Sequence, residues 1–154
     1  MIFIHMDINV KRFSAELPLP KYEKGAAGFD LFCGINASIG PNEIRAIPAN
    51  IAMSVPRGYV LLIIPRSSTP TRKGLVMPHS MGVVDPYFCS EESEIKLIFQ
   101  NITNKAVKIR KGDKLAQGII VKCEMATFNE VDKFKKTRRK VCTYQGHNVS
   151  KNNP

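Results

Sequence analysis

Short apolar runs broken by turn residues dominate the chain. Ile2–Val10 partly alternates apolar and polar positions, and Glu43–Ile47 alternates cleanly. Gly58–Ile64 is a continuous apolar run of the length that a strand buried on both faces needs. Ile95–Phe99, Ala106–Arg110 and Gly118–Val121 repeat the strand pattern. Between them lie turn clusters at Leu17–Pro20, Gly40–Asn42, Val55–Gly58, Asn101–Lys105 and Arg110–Asp113. Helical periodicity is nearly absent. One helical turn is expected near Thr69–Leu75, held short by Pro70 and Gly74. Many short strands at regular spacing predict an all-β fold, a sandwich or distorted β-barrel, over residues 1–132.

A length of 154 residues allows one domain with a core of its own, and a 44% apolar fraction argues against global disorder. No apolar run reaches membrane-spanning length, and the first residues lack the pattern of a signal peptide. The expected location is therefore cytoplasmic, or another intracellular compartment, without secretion. Cys33, Cys89, Cys123 and Cys142 are scattered and form no CxxC pair, so they are read as reduced thiols rather than a zinc or redox site. Asn101-Ile102-Thr103 and Asn148-Val149-Ser150 match the glycosylation sequon, unused in that location.

Charge is unevenly placed. Residues 1–132 hold 16 Lys/Arg and 13 Asp/Glu, a net of +3, whereas residues 133–154 hold 7 Lys/Arg and no acid, giving the rest of the +10. Such a segment is expected to be a basic tail, mobile in isolation. Nucleic acid is not an expected partner of the balanced body; only the tail could reach it.

Four segments could carry chemistry: Ala27-Gly28-Phe29-Asp30-Leu31, Pro65-Arg66-Ser67-Ser68, Gly82-Val83-Val84-Asp85 and Gly112-Asp113-Lys114-Leu115-Ala116-Gln117. Asp30 and Asp85 each end an apolar stretch, a place for a functional carboxylate and equally for a turn cap. Arg66-Ser67-Ser68 offers a guanidinium, two hydroxyls and successive backbone N–H groups, which suits an anion. Taken alone, each segment also reads as an ordinary turn or edge.

In this order, the four segments resemble the first four motifs of the trimeric dUTPase family, which splits dUTP into dUMP and pyrophosphate. The resemblance implies a β jelly roll, a homotrimer with active sites at subunit interfaces, dUTP as substrate and Mg2+ as cofactor. It implies Asp85 as the catalytic general base, and Asp30 as a metal residue acting through the ion's water shell. Arg66, Ser67 and Ser68 would bind phosphates, with Gln117 adding a phosphate-side hydrogen bond from another subunit. Val83, Val84 and Lys96 would join the substrate contacts, Phe88 would pack beneath the deoxyribose, and His79 would fall where some members read the base. Positioning and charge stabilisation account for much of the rate in such phosphoryl chemistry.

Two departures stand out. Phe88 replaces the family's tyrosine, and Cys89-Ser90 with Glu91–Glu94 gives a longer, altered hairpin where the base edge is normally read. The glycine-rich fifth motif is replaced by Thr137–Gly146, in which Arg138 is the expected phosphate-binding arginine and Tyr144 the nearest aromatic residue. Two alternatives follow: a dCTP deaminase-type enzyme on the same scaffold, which needs a proton-shuttling glutamate, or an impaired dUTPase-like nucleotide-binding or regulatory protein.

Overall fold

The structure, a computed structural model, describes residues 6–133. The basic tail, with Arg138, Cys142, Tyr144 and Asn148, lies outside the described residues. Strands β1 (Val10–Arg12), β2 (Phe29–Phe32), β3 (Ala37–Ile39), β4 (Ile44–Pro48), β5 (Ile51–Met53) and β6 (Tyr59–Pro65) precede the helix α1 (Ser68–Lys73). Strands β7 (Leu75–Val76), β8 (Gly82–Val84), β9 (Lys96–Asn101), β10 (Val107–Ile109) and β11 (Lys114–Lys122) follow. The all-β expectation holds, and no described helix is long and apolar enough to cross a membrane.

Two main sheets, ordered β2-β11-β6-β8 and β4-β9-β7, join two-stranded pairs β1-β5 and β10-β3 around one core. The core follows from alternation. Leu97, Phe99 and Asn101 on β9 point inward while Lys96, Ile98 and Gln100 do not, and Phe29 and Leu31 on β2 do the same. Leu31, Ile39, Ile47, Leu61, Leu97 and Phe99 are fully buried. Each such side chain contributes about 1.5–3 kcal/mol relative to exposure. The apolar run at Gly58–Ile64 becomes β6, flanked by β11 and β8 within its sheet.

Three local features differ from the sequence pattern. Of the alternating segment 2–10, residues 2–5 lie outside the described residues, and the described part forms a strand only from Val10, although Met6, Ile8 and Val10 keep their half-buried side. The stretch Glu91–Glu94 is not a hairpin: β8 pairs with β6 and β9 with β4 and β7, so it is a loop crossing between sheets. Asn101, part of a glycosylation sequon, is fully buried. Its amide nitrogen donates to the carbonyls of Ile39 (2.9 Å) and Lys105 (2.7 Å), and its oxygen accepts from the backbone N–H and hydroxyl of Thr103. Asn101 is thus a structural residue that fixes the β9–β10 turn.

The helix α1 is held at both ends. Pro70 is tolerated because first-turn N–H groups have no partner within the helix. Gly74 stops the helix in the left-handed region (φ 61°), and its N–H donates to the Pro70 carbonyl. A Cβ at Gly74 would sit 2.1 Å from Cγ2 of Thr103, so only glycine fits both the angle and the space.

Candidate active site

The sheet β2-β11-β6-β8 brings three of the four segments to one patch. Gln117 on β11 lies directly opposite Asp30 on β2 and Ile64 on β6. Arg66 follows β6, and its N–H donates to the Leu115 carbonyl (3.0 Å). The Arg66 Nε approaches Asp30 Oδ1 at 3.4 Å. Asp30, Arg66 and Gln117, far apart in sequence, therefore share one end of the sheet.

A β-bulge makes this patch. The β11–β2 register pairs Lys114 with Phe32 but Ala116 with Leu31, so Leu115 is the extra residue. Strict alternation from Gln117 would turn Lys114 inward. The bulge instead buries both Leu115 and Ala116 and leaves Lys114 on the face of Asp30 and Gln117. There its Nζ lies 3.0 Å from Asp30 Oδ2. Lys114 was missed by sequence reasoning because a bulge has no clear signature in the apolar pattern.

The Arg66-Ser67-Ser68 turn is locked beneath the patch. Ser67 caps α1, is exposed, and makes no side-chain cap hydrogen bond, so its hydroxyl is uncommitted among the described residues. Ser68 opens the helix, half-buried. Buried Thr69, a second residue missed from sequence, donates its hydroxyl to the Leu115 carbonyl at the bulge (2.7 Å). At the other end of α1, Lys73 donates to Asp113 Oδ2 (2.8 Å). Burial disfavours the charge on Asp113, but the Lys73 hydrogen bond, the Arg110 N–H and the two cations outweigh it and hold the carboxyl below the usual carboxylate range. Asp113 therefore anchors the helix to the β10–β11 turn.

Asp85 stands elsewhere. Its Oδ1 accepts from the N–H groups of Tyr87 (2.8 Å) and Phe88 (3.2 Å), which makes it the cap of the Asp85–Phe88 turn. Its Oδ2 forms no hydrogen bond among the described residues, so the turn orients the carboxylate and leaves one oxygen available. Antiparallel pairing sets Gly82 against Ile63 and Val84 against Leu61, so Asp85 projects beyond the Val60 end of β6. Arg66 leaves the opposite end. At about 3.3 Å per strand residue, Asp85 and Arg66 of one chain are on the order of 15–20 Å apart.

The remaining expected residues divide similarly. Val84 is buried and Val83 65% exposed on the edge strand β8. Phe88 is 44% and Tyr87 88% exposed beside Asp85. His79 is exposed in the β7–β8 loop, where its carbonyl accepts from the Met81 N–H. Lys96 belongs to the other sheet and pairs with Glu94, whose Oε1 also accepts from the Asn50 N–H. Lys11 holds Glu91 by its backbone carbonyl and carboxylate. An apolar cavity of about 810 Å³, lined by Met6, Tyr22, Phe29, Met53 and Ile120 among others, contains none of the expected site residues.

The family model described as dUTPase matches residues 14–145. The chain belongs to the dUTPase family. It is 35% identical over 141 residues to deoxyuridine 5'-triphosphate nucleotidohydrolase of Thermobifida fusca, covering 90% of this chain and 76% of that protein. Its fold superposes on the crystal structure of dUTPase from Streptococcus mutans with a TM-score of 0.71, at 28% identity over 77% of this chain and 98% of that one. The dUTPase from phage phi11 of S. aureus shares the fold at a TM-score of 0.76, with 23% identity over 86% of this chain and 100% of that one. The jelly-roll expectation is met. The family match also runs through Arg138, past the last described residue.

Proposed function

We propose that this chain is a dUTP diphosphatase that releases pyrophosphate from dUTP at a site built by more than one copy of itself. The observation that carries the reading is the convergence of Asp30, Arg66 and Gln117 on one patch, set by the β2–β11 register and the Arg66–Asp30 ion pair. Family membership supports the substrate.

Arg66 and the Ser67 hydroxyl bind the phosphates from the turn after β6, with Ser68 beside them, and Gln117, which the strand register sets beside Asp30 in the same chain and not in another subunit as expected, adds a hydrogen bond. Arg138 supplies a further cation from the tail. Asp85, oriented by its own turn, accepts a proton from the attacking water through Oδ2. Phe88 packs against the sugar, and His79, Val83, Val84 and Lys96 are the remaining substrate contacts.

The site takes residues from two copies because Asp85 and Arg66 of one chain stand at opposite ends of β6. Exposed Val83, Tyr87 and Phe88 beside Asp85 give that region an apolar face suited to a partner. A homotrimer, the family's assembly, satisfies both features.

Magnesium fits the residues present. Among the described residues no cluster of three or more His, Cys, Asp or Glu could hold an ion alone. Mg2+ commonly keeps waters and binds through one carboxylate plus substrate phosphates. Asp30, beside the phosphate-binding Arg66, is the carboxylate placed to accept hydrogen bonds from such a water shell. Bound there, the ion neutralises phosphate charge.

The deaminase alternative is not favoured, since the family match is to dUTPase, and of the loop's glutamates Glu91 is tied to Lys11 and Glu94 to Asn50 and Lys96, while Glu92 is exposed. The compartment we propose is the cytoplasm. The reading is tested by pyrophosphate release with Mg2+ across dUTP, dTTP, dCTP and UTP. Release from dUTP, lost in Asp85→Asn, supports it; ammonia release from dCTP, or no release at all, overturns it.

A further inference from the structure

Asp30 is shared between two cations in an asymmetric way. Lys114 Nζ takes Oδ2 at 3.0 Å, whereas Arg66 reaches Oδ1 only at 3.4 Å, through Nε. The guanidinium is thus paired with Asp30 without being captured by it. Arginine and carboxylate prefer a bidentate fork, two parallel N–H···O bonds, when nothing intervenes. A fork on Asp30 would commit two of the guanidinium's five N–H donors and fix its plane on the carboxylate, leaving fewer donors for an anion.

Lys114 stands where it prevents that closure. The bulge at Leu115 delivers it to the outer face, and its Nζ also lies 5.4 Å from the centre of the Phe32 ring, its cross-strand partner. Lys114 and Arg66 side chains are 45% and 39% exposed, so both remain open to a ligand. Two cations on one carboxylate leave the patch with a net positive charge, as phosphate binding requires.

We infer that Lys114 is a positioning residue for phosphate binding: it occupies Asp30 Oδ2 and so keeps Arg66 from being captured by Asp30. This deepens the dUTP diphosphatase reading and rests on its assignment of Arg66 to the phosphates. In Lys114→Met, Asp30 is free to rotate onto Arg66, and the anion loses a charge-assisted hydrogen bond. In Asp30→Asn there is no carboxylate to capture Arg66, and Lys114 has nothing to restrain.

The test is calorimetric binding of two probes, inorganic triphosphate and the α,β-imido analogue of dUTP, in EDTA so that no metal contributes. Wild type, Lys114→Met, Lys114→Arg, Asp30→Asn and the Asp30→Asn/Lys114→Met double variant are compared, with thermal unfolding as a folding control. Lys114→Met is expected to weaken both probes about tenfold, the size of one charge-assisted hydrogen bond. Lys114→Arg restores binding to within about threefold, because a cation again occupies Asp30. In the Asp30→Asn background the lysine substitution changes affinity less than about twofold, the signature of action through Asp30. An effect of the same size in both backgrounds, no effect in either, or a wild type that binds neither probe overturns the inference. An analogue that binds wild type no tighter than inorganic triphosphate counts against the dUTP reading, while the Lys114–Asp30 coupling is still decided on triphosphate.

Discussion

The Thr69 hydroxyl donates to the Leu115 carbonyl at 2.7 Å, which locks the first turn of α1 onto the bulge of β11. Thr69 is buried, so the bond is shielded from water. Through it, the Arg66-Ser67-Ser68 turn and the Lys114–Gln117 strand are held as one rigid unit.

Thr69→Val keeps the shape and removes one of two donors to the Leu115 carbonyl, which keeps the Arg66 N–H. The expected cost is that of one hydrogen bond, about 0.5–1.5 kcal/mol of stability. Because the turn carrying Arg66 and Ser67 loosens as well, kcat/KM for dUTP should fall more than in Thr69→Ser, which retains the donor. Urea unfolding and steady-state kinetics on both variants check this. Equal kinetics in Val and Ser variants would contradict a positioning role for the bond.

Asp113 gives the fold an acid-sensitive anchor. Its folded pKa lies below the ordinary 3.8, so its pair with Lys73 contributes fully above that value. As pH falls below it, the unfolded chain takes up the proton first, and the contribution is lost as pH drops through the folded value. The stability gap between wild type and Asp113→Asn should therefore be constant at neutral pH and close below about pH 4. Urea midpoints from pH 7 to pH 3 measure it. A gap independent of pH would contradict the ion-pair account.

Cys33 is fully buried, and burial, aided by the nearby Asp113 carboxylate, pushes its thiol up to about 12 against an ordinary 9.0. Cys89 and Cys123 are exposed. In a Cys142→Ser background, a thiol reagent at pH 8 should label Cys89 and Cys123 quickly and Cys33 only on unfolding. Rapid labelling of Cys33 in the native protein would show that the β2 end of the core opens readily.

The fold was legible because alternation and turn residues carry it. Strands at Glu43–Ile47, Gly58–Ile64, Ile95–Phe99 and Ala106–Arg110 appear within a residue or two, and the turn near Thr69 becomes α1. Gly118–Val121 was only the end of β11, since the bulge at Leu115 breaks the alternation upstream of Gln117. The short strands β3, β5 and β7 are set by pairing partners rather than by local pattern, and left no signal. Of the candidate site, Asp30, Arg66 and Gln117 could be picked from their segments, but their meeting depends on register. Lys114 and Thr69 act only through that three-dimensional arrangement, so no motif announces them. The separation of Asp85 from Arg66 follows from the direction of β8 against β6, which residue spacing does not reveal.

We propose one active site that draws Arg66 from one copy and Asp85 from another. Its most direct measurement is subunit complementation. Arg66→Ala and Asp85→Asn, each inactive alone, are unfolded together, refolded as mixed assemblies and assayed for pyrophosphate release from dUTP. With equal mixing, about a quarter of the sites combine an intact Arg66 with an intact Asp85, so about a quarter of wild-type activity should return. Mixed assemblies that form and yet stay inactive would contradict a site shared between copies.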